Sequence, residues 1–224
     1  MSDKVVKVAF IGAGSVNFGG PDGPWDHASR LEKIPNVIFV GISDPNKDRC
    51  EVVLNKRLEA DDGKNRKVWE HCQIYSHHSE MIKEAKPDAV YIGVPPFTHG
   101  SAKMPMELDC VKAGVHCFVE KPMSNAPADE TLAYSKKIEE TAGDKVVLSV
   151  GYMFRHSKWA RYLKNLVAEH GRPIVAFDAL YNCAYSACNS PFFWDVKFSG
   201  GPIVEQATHF VCLFFSFNFS LNFK

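Results

Sequence analysis

Short, nearly all-apolar runs recur along this chain at residues 5–11, 37–42, 88–94, 115–119 and 146–150, with helix-forming segments between them. A strand with one face in water alternates apolar and polar residues, whereas a run that is apolar throughout needs cover on both faces. Strands of that kind separated by helices are βαβ units, and such units assemble into a parallel sheet within an α/β fold. The helix punctuation agrees. Residues 45–60 are expected to form a helix with Asp44 as its cap and Pro45 at its first position. Residues 101–113 read as a second helix, closed by Gly114, with Pro105 near its start. Residues 127–140 read as a third, with Gly143 beyond its end, and a shorter one is expected around residues 25–33.

The pattern changes after residue 150. Residues 159–169 read as a helix stopped by Gly171, residues 174–181 as a longer strand of mixed polarity, and residues 189–201 as a loop rich in aromatics. A helix is expected from Pro202 to about Phe215. From Phe215 to Phe223 aromatic and polar residues alternate with a period of two, which is a strand or aggregation signature. A first domain over residues 1–125 and a second over 126–224 are expected, with the junction between 125 and 150. The abrupt end after the alternating tail leads us to expect a shortened chain, with a natural final strand as the alternative.

At 224 residues and 46% hydrophobic content the chain can bury a sizeable core. Its formal net charge is zero, so it carries no basic field for nucleic acid and no acidic tail. Seven cysteines, an odd number without a CxxC pair, point to reduced thiols and a cytoplasmic protein. The start Met1-Ser2-Asp3-Lys4 has no signal-peptide character, and no apolar stretch reaches membrane-spanning length.

Several motifs sit at the carboxyl ends of the expected strands, where open α/β sheets bind ligands. The first run ends in Gly12, Ala13, Gly14 and Ser15. Two glycines allow a tight turn and let backbone N–H groups approach a pyrophosphate at the next helix start. The third glycine of that fingerprint is replaced by Asn17, and a turn-rich insertion follows at residues 18–24. The second run ends at Asp44, whose carboxylate suits the ribose hydroxyls of NAD and repels a 2′-phosphate. Lys47 and Arg49 keep NADP open.

Pro95 and Pro96 rigidify a turn that would wall a nicotinamide ring, with His99 either beside the cofactor or capping the following helix. Glu120 and Lys121, then Pro122, follow another apolar run, and a charged pair there is costly unless it meets a ligand or partner. An ammonium at that edge can hydrogen-bond a substrate hydroxyl and favour its deprotonation. Glu205 and His209 share a helix face, and a histidine can take the proton of an alcohol. The same spacing suits a metal, but a third ligand is not evident, so no metal is expected. Tyr152 and Arg155 follow the run at residues 146–150 and face the same edge as candidate substrate-binding residues.

The order Gly12-Ala13-Gly14, Asp44, Pro95-Pro96 with His99, Glu120-Lys121-Pro122, then Glu205 and His209 resembles the glucose–fructose oxidoreductase/inositol dehydrogenase/MocA family. The resemblance covers residues 4 to about 211. It implies an N-terminal Rossmann domain with a doubly wound parallel sheet and a C-terminal α/β domain of open-sheet type, incomplete here. It also implies NAD(P)-dependent oxidation or reduction of a sugar, cyclitol or related compound, and a homo-oligomer for the full-length form. By this resemblance Lys121 is the catalytic lysine and His209 the acid/base. Glu205 stands where the family has Asp, and the family's chains run well beyond this length. Two alternatives stay open: a non-catalytic NAD(P)-binding module, and an inactive fragment with exposed sheet edges.

Overall fold

The structure, a computed structural model, describes residues 4–20, 26–59, 63–172, 174–182 and 191–218. The chain divides into two compact units, Met1–Val150 and Gly151–Lys224.

The first unit contains β1 (Val6–Ile11), α1 (Ser15–Phe18), α2 (His27–Leu31), β2 (Val37–Ser43), α3 (Lys47–Leu58), α4 (Gly63–Trp69), β3 (Gln73–Tyr75), α5 (His78–Ala85), β4 (Ala89–Ile92), α6 (Met106–Lys112), β5 (His116–Val119), α7 (Ala128–Ala142) and β6 (Leu148–Val150). Its sheet has the order β3-β2-β1-β4-β5-β6, parallel throughout. The chain winds outward from β1 on one side and returns to β4 on the other, so the doubly wound order reverses between β1 and β4.

Alternate residues of β1 feed two cores. Val8 and Phe10 join Phe18, Phe39, Ile42 and Trp69 on one face. Ala9 and Ile11 join Met81, Val90, Ile92, Leu108, Val119 and Ile138 on the other. Each fully buried Phe contributes roughly 1.5–3 kcal/mol of transfer free energy. Trp69 stacks on Phe39 at 4.0 Å between ring centroids and gives its indole N–H to Glu32 at 2.7 Å. A buried indole needs such a partner.

The division falls at Val150 because β6 pairs with β5 and because α7 packs Tyr134 and Ile138 into the sheet's core. Residues 126–150 therefore belong to the first unit: the division lies at the far end of the expected 125–150 junction, past the expected 125/126 domain boundary. Other boundaries shift for local reasons. The helix expected at residues 45–60 begins at Lys47, and Asn46 caps it by accepting the Arg49 N–H at 3.0 Å, so Asp44 is not the cap. The helix expected at residues 101–113 begins at Met106 with Pro105 at its N-cap, so His99 does not cap it.

The second unit holds a 3₁₀ turn at Met153–His156, α8 (Lys158–His170), α9 (Pro191–Trp194), α10 (Val196–Ser199) and α11 (Gly201–Asn218). Ser157 caps α8 by accepting the Ala160 N–H, and Gly171 ends it in the left-handed region. Ala160, Leu213 and Phe217 form a small core with Phe154, Phe177 and Phe210. The strand expected at residues 174–181 is not formed, and the loop expected at 189–201 contains α9 and α10. The period-two reading from Phe215 is overturned as far as Asn218, because Leu213 and Phe217, four residues apart, face one core as helical neighbours. Residues 219–224 lie outside the described residues.

Candidate functional site

Four adjacent strands, β2, β1, β4 and β5, deliver their carboxyl ends to one edge of the first unit's sheet. Backbone hydrogen bonds carry the alignment one residue past the strands. Gly12 N–H donates to Ser43 O at 2.8 Å, Gly93 N–H to Ile11 O at 2.9 Å, and Glu120 N–H to Ile92 O at 2.9 Å. The glycine turn, Asp44, the Pro95-Pro96 turn and the Glu120-Lys121 pair are thus brought to one edge, at the point where the strand order reverses.

The two glycines of the turn have different tasks. Gly12 has φ +95°, and a Cβ there would stand 2.7 Å from Gly93 O and from Val94, so backbone and packing both demand glycine. A Cβ on Gly14 would meet nothing within 4 Å, so the turn is open on that side. Ala13 is buried and Ser15, which opens α1, is exposed. Asn17 takes the place of the third glycine. Its buried Nδ2 donates to Ile11 O at 3.1 Å and to Gly12 O at 2.8 Å, tying α1 back onto the turn. The space for this side chain comes from Gly93, where a Cβ would stand 2.5 Å from Asn17 Oδ1.

Asp44 is half-buried at the end of β2. Its Oδ2 accepts the Ala13 N–H at 2.9 Å and its Oδ1 accepts the Asn46 N–H at 2.8 Å. A carboxylate offers about four acceptor sites, so both oxygens retain capacity for ribose hydroxyls. An open glycine turn tied to an acidic strand end fits a dinucleotide.

Glu120 is engaged on both oxygens, Oε1 with His27 Nε2 at 2.7 Å and Oε2 with the Lys121 N–H at 3.2 Å. Lys121 is half-buried, and its bond to Pro122 is cis. Pro95 is exposed, Pro96 is buried, and Pro95 O accepts both the N–H and the hydroxyl of Thr98.

His99 lies in the interior, where its Nδ1 meets Glu107 Oε1 at 2.6 Å. Glu107 Oε2 accepts the Gly100 N–H at 3.2 Å and the Tyr134 hydroxyl at 3.0 Å. Burial first, and then the Glu107 charge, push the Tyr134 phenol far above its ordinary range, so it remains a donor. Around His99 the geometry describes a strut between the loop after β4 and helices α6 and α7.

The second unit brings together its own set. His209 is buried on α11, with Phe154 at 4.7 Å and Tyr152 edge-on at 6.0 Å between ring centroids. Arg155 donates from Nε to His156 Nε2 at 3.1 Å and from Nη1 to Cys212 Sγ at 3.9 Å. Glu205, one helical turn before His209, accepts the Gln206 side-chain amide.

Sequence reasoning missed His27. Its partner is 93 residues away, and it opens a short helix just after the insertion, where no recognisable motif marks it.

The family model described as "Oxidoreductase family, NAD-binding Rossmann fold" matches residues 6–152, and that of an oxidoreductase C-terminal domain matches residues 155–223. The uncharacterized protein UNK4.17 of Schizosaccharomyces pombe is 35% identical over 213 residues, 91% of this chain and 52% of that one. Myo-inositol 2-dehydrogenase of Thermotoga maritima is 29% identical over 185 residues, 82% of this chain and 48% of that one. The WlbA dehydrogenase of Bordetella pertussis, solved with NADH and UDP-GlcNAcA, shares the fold at a TM-score of 0.61 and 20% identity, covering 95% of this chain and 55% of that one. The chain spans about half the length of the curated relatives it matches. Among the described residues no helix is long and apolar enough to cross a membrane.

Proposed function

The chain belongs to the oxidoreductase family with an NAD-binding Rossmann fold, the glucose–fructose oxidoreductase/inositol dehydrogenase/MocA family, and from that premise we propose that it acts as an NAD(P)-dependent dehydrogenase or reductase on a sugar, cyclitol or related polyol. The observation that carries this reading is the shared sheet edge. The open glycine turn, the Asp44 carboxylate bonded to it, and Glu120 with Lys121 occupy the ends of neighbouring strands. The names of its relatives support the substrate class, since one is a myo-inositol dehydrogenase and another is bound to a nucleotide sugar.

The cofactor, when bound, supplies the hydride acceptor or donor. Of the turn residues Gly12, Ala13, Gly14 and Ser15, the first two give their N–H groups to Ser43 and Asp44 and shape the turn, so Gly14 and Ser15 would present N–H groups to the pyrophosphate, and Asp44 would accept the ribose hydroxyls. A carboxylate there disfavours a 2′-phosphate, so NAD is preferred over NADP. The Pro95-Pro96 turn would border the nicotinamide. Lys121 donates a hydrogen bond to the reacting hydroxyl oxygen and steadies the alkoxide that develops. His209 takes the hydroxyl proton as general base, with Glu205 as the catalytic carboxylate on the same helix face. Arg155 and Tyr152 contact the substrate's remaining hydroxyls. The longer family form works as a homo-oligomer in the cytoplasm.

The test is turnover of a polyol and sugar panel with NAD, comparing wild type with Lys121→Met. Loss of nearly all turnover with cofactor binding retained is expected, and unchanged turnover would refute the role of Lys121. A second reading, NAD(P) binding without catalysis, is favoured by the second unit, whose described residues contain no strand. Saturable NADH binding with no turnover across the panel would select it.

A further inference from the structure

The contact between His27 and Glu120 joins the first residue of α2 to the charged pair after β5. Both side chains are largely withdrawn from water, at 14% and 21% exposure. A carboxylate only accepts, so His27 Nε2 carries the proton in this bond. The imidazole is fixed in its plane by Phe118, edge-on at 4.9 Å, and by Tyr91 at 5.2 Å, two rings on β5 and β4. The other end of the relay is equally defined. Glu120 turns its second oxygen back onto the Lys121 N–H. The helix that carries His27 is itself anchored: Asp26 accepts the Ser29 N–H at 2.7 Å, and Arg57 reaches both Asp26 and the carbonyl of Phe18 at the end of α1.

We infer that His27 is a positioning residue which, through the Glu120 carboxylate, fixes the backbone of Lys121 at the cofactor edge of the sheet; this rests on the dehydrogenase reading of that edge. Without the imidazole proton the carboxylate is no longer held at Oε1 and swings away from the Lys121 N–H. The lysine ammonium then hangs from a looser backbone.

The experiment uses His27→Phe, which keeps a ring against Tyr91 and Phe118 but removes the donor, beside His27→Gln, which restores a donor, and His27→Ala, which removes both ring and donor. Amide hydrogen exchange reads the relay without any cofactor. In His27→Phe, exchange at Lys121 should accelerate about tenfold or more while the amides of β5 keep wild-type protection, and His27→Gln should recover most of it. NADH titration of the same proteins should show weaker binding in His27→Phe and partial rescue in His27→Gln. Unchanged Lys121 exchange in His27→Phe overturns the inference. So does an effect confined to His27→Ala, which marks His27 as packing only. If wild type takes up no NADH, the functional reading fails, while the exchange data still decide the place of His27.

Discussion

Asp44 Oδ2 accepts the backbone N–H of Ala13 at 2.9 Å, so the acidic end of β2 and the glycine turn after β1 are bonded together. Asp44→Ala removes this bond and the ribose acceptors together. Since a hydrogen bond to a charged group is worth about 1.5–3 kcal/mol, NADH affinity should fall by roughly tenfold or more. Titrations with NADH and NADPH should also show the wild-type preference for NADH narrowing in this variant. An unchanged NADH affinity would remove Asp44 from the site.

Asn17 and Gly93 form a matched pair. Asn17→Ala takes the side-chain donor from the Gly12 carbonyl and the second donor from Ile11 O, which keeps the Gly93 N–H, and should cost about 1–3 kcal/mol in urea unfolding. Gly93→Ala drives a methyl into the Asn17 amide and should cost about 1–3 kcal/mol. The two share one space, so Asn17→Ala combined with Gly93→Ala should cost clearly less than their sum. Strict additivity would contradict the pairing.

Glu107 joins His99, Gly100 and Tyr134 in the interior. Glu107→Ala strips three buried groups of their partner and should destabilise by about 3–5 kcal/mol. Tyr134→Phe removes one donor from Glu107 and one acceptor from Leu108, and should cost only about 1–2 kcal/mol. Chemical denaturation of both variants checks the order, and a larger loss in Tyr134→Phe would contradict the network.

Burial, reinforced by the nearby Asp44 charge, pushes the Cys50 thiol from 9.0 up to about 11. In the folded chain Cys50 therefore holds its proton to higher pH than in the unfolded chain. The folded state binds more protons across that window, so this contribution to stability is complete below about pH 9 and is lost as pH rises toward about 11. Urea midpoints of wild type and Cys50→Ala across this window should converge as wild type loses its share. Parallel curves would contradict the assignment.

The central sheet was legible because its strands are apolar on both faces, and the glycine turn because it follows the first of them. What escaped depends on distance along the chain. Asp44 looks locally like a helix cap, and its partner Ala13 lies 31 residues earlier, so Asn46 takes the capping role unseen. β3 is three residues long and begins with Gln73, too short for a periodic signal. His99 was legible as an edge residue but not as the partner of Glu107, which a turn and a proline separate from it. The Phe-Ser alternation near the end of α11 imitates a strand, and only the core around Leu213 and Phe217 selects the helix.

Calorimetric titration of the purified chain with NADH addresses the central claim most directly. The account predicts saturable binding to a single class of sites, displaced by NAD and weakened by Asp44→Ala. Heats that never saturate, or binding indifferent to Asp44→Ala, would contradict it.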